Sequence, residues 1–262
     1  MMISFSTRVE HYPQLKSPMD LAKKRAEEQE PEGLVIWADE ILKAVGRHGR
    51  TWSANKGGMW ISLILRPSLP VHEGPRLNYL ASWTLLQTLK PYFQDREEKP
   101  TLKWPNDIVV GKKNQKLAGI LTWAHGKKDL EYLIWGIGVN ISNALPESFE
   151  YHGVHKREDL ATRLCDWNGD AKVEKLLFEF LNQLEEEYGK WQDPDFLTSR
   201  IQDLAENCST LGQWVRLYIN EEDYMEGIAR RMDPYTGQLV IERDGKEKAY
   251  FAGDCFHLRE PE

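Results

Sequence analysis

Apolar and polar positions alternate along this chain with two different periods, and the switches between them mark out its elements. Ser17-Pro18-Met19-Asp20 has the form of a helix start: Ser17 can cap, Pro18 suits the first turn, and Asp20 favours the positive helix end. The helix is expected to run to about Glu30 and stop before Pro31, with residues 23–28 as a solvated face. Residues 33–39 are short and apolar, a predicted buried strand. Met59, Ile61, Leu63 and Leu65 recur at every second position, which predicts a strand over 59–66 closed by Pro67. Helical spacing returns over 78–92, through Tyr79, Trp83 and Leu86. Strand pieces over 102–104 and 108–110 flank Pro105-Asn106-Asp107, and 111–114 is a hairpin turn. Two further strands, 117–123 and 132–141, are joined by a turn at 126–128.

Beyond these, 159–165 is an expected helix. Residues 173–191 form a strongly amphipathic helix, with Val173, Leu176, Leu177, Phe180, Leu181 and Leu184 in one stripe; 196–205 is another. After about Leu211 the runs shorten to 214–219, 225–229 and 239–241, broken by Asp233-Pro234-Tyr235-Thr236-Gly237 and Asp244-Gly245. Short strands at this spacing suggest a small β-barrel. The expected class is α+β: a central mixed, mostly antiparallel sheet flanked by helices over residues 1–210, then a small barrel over 211–262.

Composition changes this picture little. The 262 residues are 41% hydrophobic and 29% charged, an ordinary globular balance, and ten Trp add to a sizeable core. The net charge of −7 argues against a nucleic-acid binder, while leaving room for a local basic site. Cys165, Cys208 and Cys255 are far apart and form no CxxC, so neither a disulfide framework nor a metal site is expected, and a reducing cytoplasm is the natural setting. The first dozen residues lack a basic region followed by an apolar run, and no apolar stretch reaches about 18 residues, so no leader and no membrane span are expected.

Candidate chemistry gathers in a few places. Gly46-Arg47-His48-Gly49-Arg50-Thr51-Trp52 is a glycine- and arginine-rich loop, either a cradle for a phosphate or carboxylate or an exposed salt-bridging loop. Lys103 precedes Trp104-Pro105-Asn106-Asp107, and Lys116 opens an apolar strand. Together they bring two ammonium groups, an amide and a carboxylate to one end of a sheet, as an anion pocket requires. Lysines at strand starts also snorkel to water, and Asn-Asp also makes turns. Gly136 and Gly138 interrupt a strand that ends at Asn140; glycines there signal close approach by a ligand or another backbone.

Together these stretches resemble the biotin protein ligases of the wider biotin/lipoate ligase superfamily. The resemblance rests on residues 46–52 and 61–67, on Lys103-Trp104-Pro105-Asn106-Asp107, on Lys116-Leu117-Ala118-Gly119-Ile120-Leu121, and on 136–140, in family order and spacing. Weaker matches lie at 226–229 and 253–259. The resemblance implies an SH3-like C-terminal barrel and a two-step reaction. Biotin and ATP give biotinyl-5′-AMP and pyrophosphate, and a lysine of a biotin carboxyl carrier domain then takes the biotinyl group and releases AMP. It further implies Lys116 and Arg47 as catalytic groups. Ser17, Pro18, Met19, Ile41, Val45 and Gly46, with Arg47 and Lys116, would stand at the biotin positions. Arg50, Trp52, Lys103, Asn106, Asp107, Asn140 and Arg259 would lie on the ATP side, with Mg²⁺ accompanying ATP. No side-chain metal site and a monomer or homodimer are expected, and no nucleic acid, since the sixteen residues before Ser17 leave no room for the N-terminal helix-turn-helix domain found in some of the family.

The departures from the family pattern fall on one side. Pro18 replaces a residue bearing a hydroxyl and an amide donor, Ile41 stands where a glutamine is usual, and Val45 replaces a loop arginine. Polar contacts for a ureido ring are thereby reduced. Biotin is the expected acid, with lipoate or octanoate as the alternative, and a non-catalytic adenylate- or carrier-binding relative as the third.

Overall fold

The structure is a computed structural model that describes residues 4–46, 52–145, 161–220 and 223–258. A seven-stranded sheet forms its centre: β1 (Val9–Tyr12), β2 (Val35–Ala38), β3 (Met59–Leu65), β4 (Pro100–Lys103), β5 (Asp107–Val110), β6 (Gln115–Gly126) and β7 (Leu130–Val139). Their order is β1-β2-β3-β7-β6-β5-β4. Only β1 and β2 run parallel; the other pairings are antiparallel. Helix α1 (Pro18–Glu27) covers one face. Helices α2 (Leu77–Leu89), α3 (Val173–Tyr188) and α4 (Pro194–Glu206) are on the other side.

Side-chain alternation sorts β7 between these layers. Leu133, Trp135, Ile137 and Val139 join the core shared with α2 and α3. Tyr132 and Ile134 join Ala22 and Ala26 of α1. Strand β3 lies between the layers, so all seven of its residues are buried and not only the odd ones. The start of α1 is as expected: Ser17 Oγ accepts a hydrogen bond from Asp20 N at 3.1 Å, with Pro18 in the first turn.

Residues 214–257 make a five-stranded antiparallel sheet: β8 (Trp214–Tyr218), β9 (Tyr224–Met232), β10 (Leu239–Arg243), β11 (Lys246–Tyr250) and β12 (Asp254–His257). The order is β11-β10-β9-β8-β12, an open ladder among the described residues. Trp104 ties the two sheets together. Its indole N–H faces Tyr79 Oη at 3.1 Å and Gly237 O at 3.0 Å, and Tyr79 Oη donates to Gly237 O at 2.7 Å. The linker covers the β4 edge: Leu102 N donates to Asn207 O, and Ser209 N to Leu102 O, both at 2.8 Å.

One expected element is different. Residues 159 and 160 lie outside the described residues, and the rest of the predicted 159–165 helix is not α-helical. Ala161 bridges to Lys116, Thr162 N donates to Lys116 O at 3.0 Å, and only Leu164–Asp166 turns as a short 3-10 segment. The sheet takes the backbone bonds that a helix would have needed. Strand β1 was not expected at all, because four residues with a histidine and a glutamate carry too little alternation to stand out.

Two measurements test the joint between the sheets. Gly237 has φ +72°, and a Cβ there would fall 1.9 Å from the Tyr79 ring. Gly237→Ala is expected to cost about 2–4 kcal/mol from strain and overpacking, read as a lower urea midpoint at constant m value. His257 sits in the same joint, and burial, with Lys103 adding to it, lowers its pKa from 6.5 to about 4. The fold holds the ring neutral while the unfolded chain protonates it. The resulting stability is complete above pH 6.5 and lost as pH falls to about 4, by about 3 kcal/mol. His257→Gln is expected to flatten that part of the stability profile relative to the native protein.

Candidate functional site

The site grows from one transverse row of the seven-stranded sheet. Lys103 pairs with Asp107, Asp107 with Gly119, Gly119 with Gly138, and Gly138 with Trp60. Directly opposed residues share a face, so two charged side chains are followed by two bare glycines and an indole. Lys116 joins this face through a β-bulge. Ile108 opposes Ala118 but Val109 opposes Lys116, which leaves Leu117 as an extra residue in β6. The extra residue reverses the alternation, so Leu117 and Ala118 are both buried while Lys116 swings toward Asp107.

Lys116 Nζ lies 2.7 Å from Asp107 Oδ1, with both side chains partly exposed. The contact is electrostatic, since Asp107 Oδ1 accepts no well-directed hydrogen bond among the described residues. At this exposure the pair contributes about 1 kcal/mol or less to stability. Its main effect is to point the ammonium across Gly119, where a Cβ would come within 3.3 Å of Lys116 Cε and 3.4 Å of Asp107 Oδ1.

Trp52 closes the opposite side. Its ring lies 4.8 Å from Lys116 Nζ and edge-on to Trp60 at 6.4 Å. Its indole nitrogen is buried without a hydrogen-bond partner among the described residues, 3.5 Å from where a Gly138 Cβ would be. One row along, Met19 Cε lies 2.7 Å from the corresponding Gly136 position, so the α1 thioether occupies the space a side chain would take.

The other predicted positions have varied fates. Lys103 is in the row, with Nζ 5.9 Å from the Phe256 ring of the C-terminal sheet. Asn106 Nδ2 donates to Ile120 O at 2.8 Å, and Ile120 N returns a bond to Asn106 O at 3.0 Å; these bonds pin the cis Trp104–Pro105 corner to β6. Asn140 is buried beneath Lys116, its amide 3.4 Å from Lys116 O and its oxygen accepting from Asn143 Nδ2 at 3.1 Å. Ser17 is engaged as the α1 cap. Pro18 is buried. Ile41 N donates to Ala54 O at 3.0 Å. Val45 is exposed and Gly46 partly so. Arg47, Arg50 and Arg259 lie outside the described residues. No cluster of three or more metal-ligating side chains occurs among the described residues.

Gly119 and Trp60 were missed as site residues. Gly119 carries the same signal as Gly136 and Gly138, a glycine inside a strand. The bulge at Leu117 leaves no mark in the sequence.

The set places a cation over a glycine floor flanked by tryptophan. The Lys116–Asp107 pair is neutral overall, so holding anions there calls on further positive charge such as Lys103.

Comparison with known proteins places this fold and sequence beside a set of relatives. The chain is 34% identical over 158 residues to the bifunctional ligase/repressor BirA of Bacillus subtilis, covering 60% of this chain and 46% of that protein. The chain thus spans about half the length of that relative. It is 27% identical over 242 residues to the biotin–[acetyl-CoA-carboxylase] ligase of Mycobacterium tuberculosis, covering 92% and 85% of the two chains. Its fold matches the biotin protein ligase from Aquifex aeolicus in complex with biotin and ATP, with a TM-score of 0.72 at 24% identity over 97% of this chain and 99% of that one. Residues 12–140, which hold the whole glycine-floored row, match the model of the Biotin/lipoate A/B protein ligase family.

Proposed function

We propose that this protein is an ATP-dependent ligase that joins biotin to AMP and then transfers the biotinyl group to a lysine of a biotin carboxyl carrier domain. The observation that carries this reading is the Lys116 ammonium held by Asp107 over the Gly119–Gly138 floor. In the first step the acid's carboxylate attacks the α-phosphate, and negative charge grows on the phosphate oxygens. A fixed cation in a partly desolvated slot stabilises that charge. Lys116 takes this role, between carboxylate and phosphate. Lys103 adds charge on the phosphate side; Arg47 is the residue proposed to retain the adenylate, and Arg50 to contribute on the ATP side. Mg²⁺ would arrive with the phosphates; one carboxylate plus substrate oxygens is its usual setting, and Asp107 supplies the carboxylate. Trp52 would border the nucleotide, with Arg259 contributing on the ATP side and Asn140 acting from beneath Lys116.

Residues 1–210 would form the catalytic part and 211–262 an SH3-like barrel, a reading supported by the five short antiparallel strands. A cytoplasmic location and a monomer or homodimer complete the proposal. No described helix is long and apolar enough to cross a membrane.

A second reading concerns the acid. Met19 over Gly136, buried Pro18 and the apolar Ile41 give the slot few polar partners for a ureido ring. A slot of that kind discriminates weakly against lipoate or octanoate.

ATP–pyrophosphate exchange separates the readings. Biotin-dependent exchange is expected; exchange with lipoate or octanoate alone would move the assignment to those acids, and no exchange with any acid would leave a binding protein. Lys116→Ala is expected to lower exchange at least about 100-fold, as for loss of a group that stabilises transition-state charge, with melting temperature little changed. Near-normal exchange in that variant would remove Lys116 from its role.

A further inference from the structure

The C-terminal sheet also approaches the site through an imidazole. His257, at the end of β12, has Nδ1 3.2 Å from Asn114 Nδ2 and Nε2 3.1 Å from Thr210 Oγ1. An amide nitrogen only donates, so Nδ1 accepts, and the ring hydrogen on Nε2 donates to Thr210. Thr210 Oγ1 also accepts from the backbone N–H of Trp104 at 3.1 Å. A continuous path of hydrogen bonds therefore joins Asn114 to Trp104 through His257 and Thr210.

The ends of this path are informative. Asn114 is in the β5–β6 turn, two residues before Lys116, and takes a left-handed φ of 52°. Trp104 directly follows Lys103. Both lysines thus stand beside backbone anchored to the same ring. Thr210 is fully buried, and its hydroxyl also faces Cys208. Packing alone does not call for a histidine here. A leucine would fill much of the space without burying two ring nitrogens, and the neutral ring persists because burial and Lys103 disfavour its proton.

We propose that His257 is a positioning residue for adenylation: as the neutral Nε2–H tautomer it clasps the β5–β6 turn to the β4 corner, and so fixes the spacing between Lys103 and Lys116. It rests on the ligase reading above. The lysines must present carboxylate and α-phosphate with their reacting atoms close and aligned, and small displacements there reduce rate steeply. The proposed effect of His257 passes through the turn and the corner.

The test uses the full chain and exchange kinetics for His257→Gln and His257→Leu. Glutamine can offer an oxygen to Asn114 and an N–H to Thr210, whereas leucine offers neither. His257→Leu is expected to lower kcat about tenfold or more, with KM for the acid changed less than about threefold; His257→Gln should restore kcat to within about threefold of the native enzyme. Equal loss in both variants, or no loss in the leucine variant, would overturn the proposal. A long-range ¹⁵N–¹H spectrum of the native protein near neutral pH supplies a readout independent of activity. A hydrogen on Nε2 alone is expected; a hydrogen on Nδ1 would break the clasp. If no acid supports exchange in the native protein, the ligase reading fails, and the spectrum still decides whether the clasp exists.

Discussion

Strand β6 has one residue more than β5 opposite Val109, and the face on which Lys116 emerges depends on that residue. In an unbroken ladder the ammonium would alternate onto the side of Ile108 and Ala118, both fully buried. There an uncompensated charge is costly. The bulge removes the conflict. Leu117 and Ala118 both go to the interior, and Lys116 is released to Asp107 at 2.7 Å. The transverse register does the rest, because the bare positions at Gly119 and Gly138 lie directly across from one another. Position and charge at this site both follow from strand pairing.

The pairing also explains why some residues that look chemical are structural. Asn106 and Asn140 spend their amides on backbone carbonyls under and beside the site. Such bonds hold the corner and the strand end at which the lysines sit, a task that buried amides perform only when fully partnered. Trp52 is the opposite case. Its buried N–H has no partner among the described residues, and an acceptor entering over Gly138 would meet a donor already stripped of water.

Much of this was legible in the sequence, and for identifiable reasons. The Ser17 cap and Pro18 announced α1, the Leu176–Leu184 stripe announced α3, and Pro67 marked the end of β3. Lys103, Asp107 and Lys116 stood out only as a set at one end of the sheet, and the structure brings Lys116 onto Asp107. What stayed hidden is non-local. The bulge is a relation between two strands. The 161–166 segment follows the sheet because Lys116 offers it a carbonyl 45 residues or more away in sequence. His257 gains its partners from the β5–β6 turn and the linker, neither of which is its sequence neighbour.

The linker bonds at the β4 edge bear on how the chain reaches this state. Leu102 meets Asn207 and Ser209 across about a hundred residues, and the entropy of closing so long a loop is not repaid by two hydrogen bonds alone. Strands β5, β6 and β7 and helices α3 and α4 lie within that loop, and their pairing and packing shorten it. The contact is therefore placed late in assembly, after the central sheet has its helical layer. Nascent chains would pass through a stage in which the row of site residues is formed while the β4 edge is still open, and docking of residues 207–209 would be the step that seals it.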